Sequence, residues 1–378
     1  MRCGMSRHRG HSPVASRCAA LLAAATALLA ACASPPPRPV PVDPDAVRAQ
    51  IRGLMPATVP GAANWAVDVY AAFEALGVAT TPPHICGALA VIEQESNYQV
   101  DPVVPGLPAI ARHEIESRAA SHHIPKFMVN AALGLRSPNG QTYSARLDRA
   151  RTEQDLSGIF EDFIRGVPLG ERLFGDFNPV RTGGPMQVSI AFAERQAKER
   201  RYPYPMNGTV RAEVFTRRGG LYFGIAHLYG YDAPYDAMLY RFADFNAGRY
   251  ASRNAAFQNA VNVVSGRRLA LDGDLLVAGR DDPSATERAI RSIAGRLDLN
   301  DAQIRSALEQ GGQAAFERTT LYTRTMALAD AVPPGRPVPR ALVPRIALES
   351  PKITRNLTTD WFARRVDERY RRCVARAR

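Results

Sequence analysis

At 378 residues the chain is long enough for one large domain, or for a domain with an extension, and no linker in it is flexible enough to require two. Its 48 Lys and Arg outnumber 36 Asp and Glu, for a formal net charge of +12, and only Lys126, Lys198 and Lys352 are lysines. The basic residues are scattered and no basic–aromatic recognition motif occurs, which excludes nucleic acid as the expected partner and leaves an anionic polymer.

The chain opens on Arg2, Arg7, Arg9 and Arg17, followed by an almost unbroken Ala/Leu run at residues 19–31. That run is too short to span a bilayer comfortably and has the form of a signal-peptide core. It ends in Leu29-Ala30-Ala31-Cys32, which resembles the lipobox of bacterial lipoproteins. The resemblance implies a leader at residues 1–31, cut before Cys32, and a lipid on Cys32 that ties the protein to a membrane. The other reading is an ordinary signal peptide with a chance cysteine. Ala33 stands where an Asp would direct retention at the inner membrane, so an outer-membrane lipoprotein facing the periplasm is expected. Losing four arginines with the leader leaves a charge of about +8. Of five cysteines, Cys3 and Cys18 leave with the leader and Cys32 is lipidated. Cys86 and Cys373 remain, either as one disulfide or as two buried thiols.

Residues 32–44, with "SPPPRPVPVDP", form a stiff tether after the lipidated cysteine. From 45 to about 266 the pattern is mostly helical. "DAVRAQIRGLM" and "AANWAVDVYAAFEALGV" carry apolar residues at three- and four-residue spacing. "TTPPHICGALAVIEQES" begins with Thr81 as a candidate N-cap and prolines in its first turn. Residues 103–181 are less regular, and helical segments return over 183–266. The part from 267 to 378 reads as a helical C-terminal extension. Ser284 with Glu287, and Asn300 with Gln303, have capping-box spacing, and a last helix is expected over about 361–374. No strand-rich segment is visible.

Three short stretches stand out in that order. The first is "EQESNYQVDP", where an apolar helix ends in Glu95-Ser96; the second is Gly184-Pro185-Met186-Gln187; the third is Phe245-Asn246-Ala247-Gly248. Taken singly, the last two are ordinary helix-start and helix-end signals. Together they resemble the soluble lytic transglycosylases and goose-type lysozymes, whose Glu-Ser-x-aromatic-x-x-x-Pro is matched by Tyr98 and Pro102. The resemblance covers roughly residues 62–266. It implies a mainly α, lysozyme-like domain over 45–266, with an insertion at about 103–181. Glu95 and Gln187 lie 92 positions apart, against a few tens in typical members. Pro185 replaces the family's Leu, and Phe245 replaces its Tyr. A second Glu-Ser pair, Glu116-Ser117, lies in polar surroundings and lacks the proline. The wider sequence, lipobox included, is similar to proteobacterial outer-membrane lipoproteins of unknown function.

Glycoside cleavage needs an acid still protonated near neutral pH, and burial raises a carboxyl pKa. On a helical wheel Glu95 shares a face with Ala88, Val91 and Ile92, while Glu93 lies nearly opposite, by Leu89 and Cys86. Both faces are apolar, so periodicity does not choose between the two acids; the motif selects Glu95. The resemblance implies one catalytic carboxyl, Glu95, acting as acid and then base on the MurNAc–GlcNAc β-1,4 bond of peptidoglycan strands, with no metal or cofactor. Ser96 would bind substrate or orient the acid, and Met186, Gln187, Phe245 and Asn246 would shape the sugar subsites. Tyr229, Tyr231 and Tyr235 surround the turn "YGYDAPY" and are candidate sugar platforms in the cleft. His113-Glu114 lacks the second His of a zinc helix, and His122-His123 has no acidic company. The alternatives are a weak or inactive glycan-binding lipoprotein, favoured by Pro185, Phe245 and the insertion, or a hydrolysing lysozyme.

Overall fold

The computed structural model describes residues 43–166, 178–206, 208–277, 279–332, 335–348 and 356–377. The expected leader, Cys32 and almost all of the tether lie outside the described residues, as does part of the expected insertion. Among the described residues no helix is long and apolar enough to cross a membrane.

The fold is mainly α. Helices α1 (Pro44–Leu54), α2 (Ala62–Leu76) and α3 (Pro82–Ser96) come first. Pro82 opens α3 because the first turn needs no N–H from that residue. Thr81 precedes it but does not cap it; its hydroxyl lies 2.7 Å from His84 Nδ1 instead. Every residue from 85 to 92 is buried, so the middle of α3 has no solvent face. After Ser96 the chain reverses through Asn97 and Tyr98, both left-handed at φ 49° and 60°. That conformation is unfavourable for a tyrosine. Tyr98 is held there by its hydroxyl, which donates to Leu89 O at 3.3 Å, and by an edge-on contact with Trp65.

The described part of the expected insertion folds as four helices, α4 (Leu107–Ser121), α5 (Lys126–Gly134), α6 (Tyr143–Arg149) and α7 (Glu153–Gly166). A hairpin of two short antiparallel strands follows, β1 (Thr182–Gly183) and β2 (Val188–Ser189), with Thr182 opposite Ser189. The Gly184–Gln187 stretch is therefore a hairpin turn and not a helix start. The helix it precedes, α8 (Ile190–Glu199), is capped by Ser189, whose hydroxyl accepts from Phe192 N. Then come α9 (Val210–Val214), α10 (Arg217–Tyr229) and α11 (Met238–Ala247). The hairpin lies on α10 at its glycines. A Cβ on Gly220 would stand 2.4 Å from Pro185 Cδ, and one on Gly224 2.5 Å from Met186 Sδ. Those glycines weaken the helix and are needed for the close approach.

α12 (Ala251–Ser265) leads into a second core. Around it stand α13 (Ala285–Arg291), α14 (Ala294–Leu297), α15 (Asp301–Leu308), two 3₁₀ turns (Glu309–Gly312 and Ala314–Arg318) and α16 (Thr320–Ala331). Phe257, Phe316 and Tyr322 meet at its centre. Asn300 and Gln303 form a full capping box; Ser284 caps α13, but the Glu287 carboxylate accepts from Arg291 and Arg305 instead of closing a box. A short pair, β3 (Ala347–Leu348) and β4 (Leu357–Thr358), precedes the last helix, α17 (Thr359–Arg376). α17 leaves the extension and returns to the first core, where Phe362, Ala363, Val366 and Cys373 are buried against α3 and α11.

Candidate active site

The last turn of α3 presents two acids in different directions. Glu93 meets α17, accepting from Arg372 Nη2 at 3.0 Å with Arg369 Nε at 3.5 Å. Glu95 points into a cleft of about 750 Å³. Among the described residues no hydrogen bond or ion pair engages its carboxyl. Burial alone pushes the Glu95 pKa up to about 8, because no neighbouring charge offsets the cost of ionising it. Glu116, in the second Glu-Ser pair, is on α4 and pairs with Lys126 at 2.9 Å, away from the cleft.

The hairpin supplies the opposite wall. Gln187 sits at φ 47°, and its Oε1 accepts from Thr182 Oγ1 at 3.1 Å. Gly184, at φ 70°, lies so close to α9 that a Cβ would stand 2.1 Å from Val214 O. The amide of Gln187 is thus held at the cleft by a turn that only glycine can begin. Met186 is fully buried behind it, against Gly224, and braces the turn without lining the cleft.

The end of α11 supplies the third wall. Phe245 and Asn246 both line the cleft, and Gly248, at φ 107°, ends the helix beside them. Asn246 Oδ1 accepts from Thr359 Oγ1 at 2.8 Å, so the first residue of α17 fixes this amide. The structure therefore brings Glu95, Gln187, Phe245 and Asn246 together around one space, from positions spread over more than 150 residues.

The other candidates lie elsewhere. Ser96 is buried, and its hydroxyl donates to Ile92 O at 3.1 Å, within its own helix. The three tyrosines are a correction to the sequence reading. Tyr229 donates to His84 O at 2.7 Å and packs where a Cβ on Gly87 would clash, bracing α3 from below. Tyr231 and Tyr235 both donate to Asp244 Oδ2, at 3.0 and 2.7 Å. Asp244 is fully buried and also accepts from the amides of Tyr250 and Ser252. A buried carboxylate needs such partners, and these hydroxyls are committed to it rather than to a ligand.

One cleft residue had no sequence signal. His227, on α10, lies edge-on between the rings of Phe192 and Phe245. Burial, with Arg249 nearby, lowers its pKa to about 4 and keeps it neutral. Its Nε2 is 3.2 Å from Phe245 O and so carries the proton it donates; Nδ1 is then a buried acceptor with no partner. Arg195, Gln196 and Glu199 of α8 and Arg249 after α11 also line it, with Glu199 as the other carboxylate. Cys86 and Cys373 are bonded, Cα to Cα 5.5 Å, joining α3 to α17. No group of three or more His, Cys, Asp and Glu suited to a metal occurs among the described residues.

These features define a mainly helical protein in which a half-buried acid, Glu95, faces a polar cleft with no hydrogen-bond partner among the described residues. The chain belongs to the family described as "Protein of unknown function (DUF1615)", whose model matches residues 58–376. It is 55% identical over 352 residues to "Uncharacterized protein YaiW" of Escherichia coli (strain K12), covering 93% of this chain and 96% of that one. No solved structure matches.

Proposed function

We propose that the cleft cleaves peptidoglycan strands at the MurNAc–GlcNAc β-1,4 bond by a non-hydrolytic route, on a lysozyme-like domain carried by an outer-membrane lipoprotein. The observation that carries this reading is Glu95, an acid with its pKa raised to about 8 at the wall of a cleft that also holds Gln187, Phe245 and Asn246. Protonated Glu95 gives its proton to the glycosidic oxygen as the C1–O bond breaks. The substrate's own N-acetyl oxygen covers C1. The Glu95 carboxylate then takes the proton of the C6 hydroxyl, and O6 closes on C1 with release of the acetamido oxygen. The acid is restored and no water is consumed. The neutral amides of Gln187 and Asn246 suit sugar hydroxyls and N-acetyl groups without adding charge near the acid.

Glu199 supports a second reading, hydrolysis, which in most glycosidases uses two carboxylates. The products separate the two. Digestion of purified sacculi should release 1,6-anhydro-muropeptides, lighter by one water than reducing-end products, and Glu95→Gln should lower the rate at least ~10²-fold. Reducing-end products, with loss of activity in Glu199→Gln, would establish hydrolysis. Glycan binding with no product from the wild-type protein would establish a binding protein.

A further inference from the structure

The α8 side of the cleft carries charge that the chemistry at Glu95 does not use. Arg249 lines it just after α11, half-buried and held in a seat. Its Nη2 donates to Ala226 O at 2.6 Å and its Nε to His227 O at 3.3 Å. The guanidinium lies over the rings of Phe192 and Tyr231, 4.7 and 5.3 Å from their centres. Gly230 leaves room for it, since a Cβ there would stand 2.9 Å from Nη2. Yet among the described residues no carboxylate pairs with Arg249, and no hydrogen bond engages Nη1. Burial is the largest influence on this side chain and lowers its pKa from the usual arginine value. A cation taken partly out of water without a counter-ion is costly, and an anionic ligand offsets that cost.

Two more charges stand on α8. Arg195 and Glu199 are both exposed and both line the same cleft. They are four positions apart, the spacing at which opposite charges meet on a helix, but neither makes a hydrogen bond or ion pair among the described residues. Arg before Glu is the weaker order for such a pair. Glu199 also ends its helix, where the dipole disfavours a carboxylate. Local stability therefore explains neither charge. The wall offers two cations and one anion, none of them neutralised by a charged partner. Resting on the reading of the cleft as a peptidoglycan site, we infer that this wall binds the peptide stem of the strand, with Arg195 and Arg249 on a stem carboxylate and Glu199 on a stem ammonium. A stem that includes a diamino acid carries both charges. A strand stripped of peptide keeps a carboxylate on its lactyl group but offers no ammonium, which leaves Glu199 unused. The three residues thus select peptide-bearing over stripped glycan.

The test is titration calorimetry of the full chain in a Glu95→Gln background, with three ligands. The first is a GlcNAc–MurNAc tetrasaccharide bearing tripeptide stems that end in diaminopimelate. The second is the same compound with its free amines acetylated, and the third is the stripped tetrasaccharide. The first should bind at least about tenfold tighter than the third, the worth of one charge-assisted hydrogen bond, with the second between them. Arg195→Glu should reduce the ratio of first to third severalfold. Arg249→Gln should reduce it further, because its charge is the less hydrated of the two. Glu199→Gln should erase the difference between the first and second ligands. Arg195 touches no partner, so its variant decides the case even where Arg249→Gln disturbs the seat. Equal binding of the first and third ligands would overturn this inference and leave the glycan reading intact. So would a preference that survives Arg195→Glu and Arg249→Gln together, or one that Arg195→Glu lowers for all three ligands alike, which would mark the lactyl carboxylate as the group bound. Binding of none of the three would sink the glycan reading and this inference with it.

Discussion

Glu93 and Glu95 sit two positions apart on α3, yet one is neutralised by two arginines and the other is left alone in a cleft. The isolation of Glu95 has a measurable sign. Its pKa rises from 4.5 unfolded to about 8 folded, so between those values the native state holds a proton that the unfolded chain has shed. Stability then falls as pH rises through that window, and the contribution is complete only below the unfolded value. Glu95→Gln removes the penalty. Its melting temperature should match the wild type at pH 4 and exceed it by at least about 2 °C at pH 9. In sacculus digestion the same group should give an alkaline limb near pH 8 in kcat/KM. Tyr231→Phe and Tyr235→Phe each strip a donor from buried Asp244, and each should cost about 1–3 kcal/mol in urea unfolding. Neither should change glycan affinity. The acid was legible in the sequence because Glu-Ser ends an apolar run; a wheel could not choose it, since both faces of α3 are buried. The tyrosines were misplaced because their partner, Asp244, looks like any surface acid in "RFADFNAG". His227 was invisible, a lone histidine in an apolar helix whose role depends on two rings brought in from α8 and α11.

At the scale of elements, the cleft is set by contacts that sequence pattern does not encode. The glycines of α10 were readable only as weak points in a helix, and the hairpin that uses them was read as a helix start. Gly220→Ala should force Pro185 or Val214 to move, costing about 1–3 kcal/mol and displacing Gln187. The last helix is the other hidden device. Its existence was plain from its pattern, but not its destination beside the cleft. α17 touches the site's frame at three places, through Cys373 to Cys86, Arg372 to Glu93, and Thr359 to Asn246. Thr359→Val keeps the shape and frees the Asn246 amide. It should raise KM for glycan with a smaller effect on kcat, if the amide binds sugar. Cys373→Ser should lower stability by about 2–5 kcal/mol, read by denaturation with and without reductant.

The described residues form two apolar centres on one continuous chain, with α12 entering the second and α17 closing the first. That closure agrees with a family match that runs through both centres, from residue 58 to residue 376. The positive charge, +12 for the whole sequence and about +8 without the expected leader, acts at this scale too. Attraction to an anionic polymer is screened over about 10 Å at 0.1 M salt, so sacculus binding should weaken several-fold between 50 and 500 mM NaCl. Sedimentation of protein with sacculi measures it. The bond between residues 86 and 373 spans 287 positions and has a consequence in time. The helix bearing Glu95 emerges early, but its covalent partner cannot reach it until nearly every other residue has been made. A chain halted partway carries the acid and lacks the lock. A chain truncated before Cys373 should therefore be cut by proteases under conditions that spare the full chain.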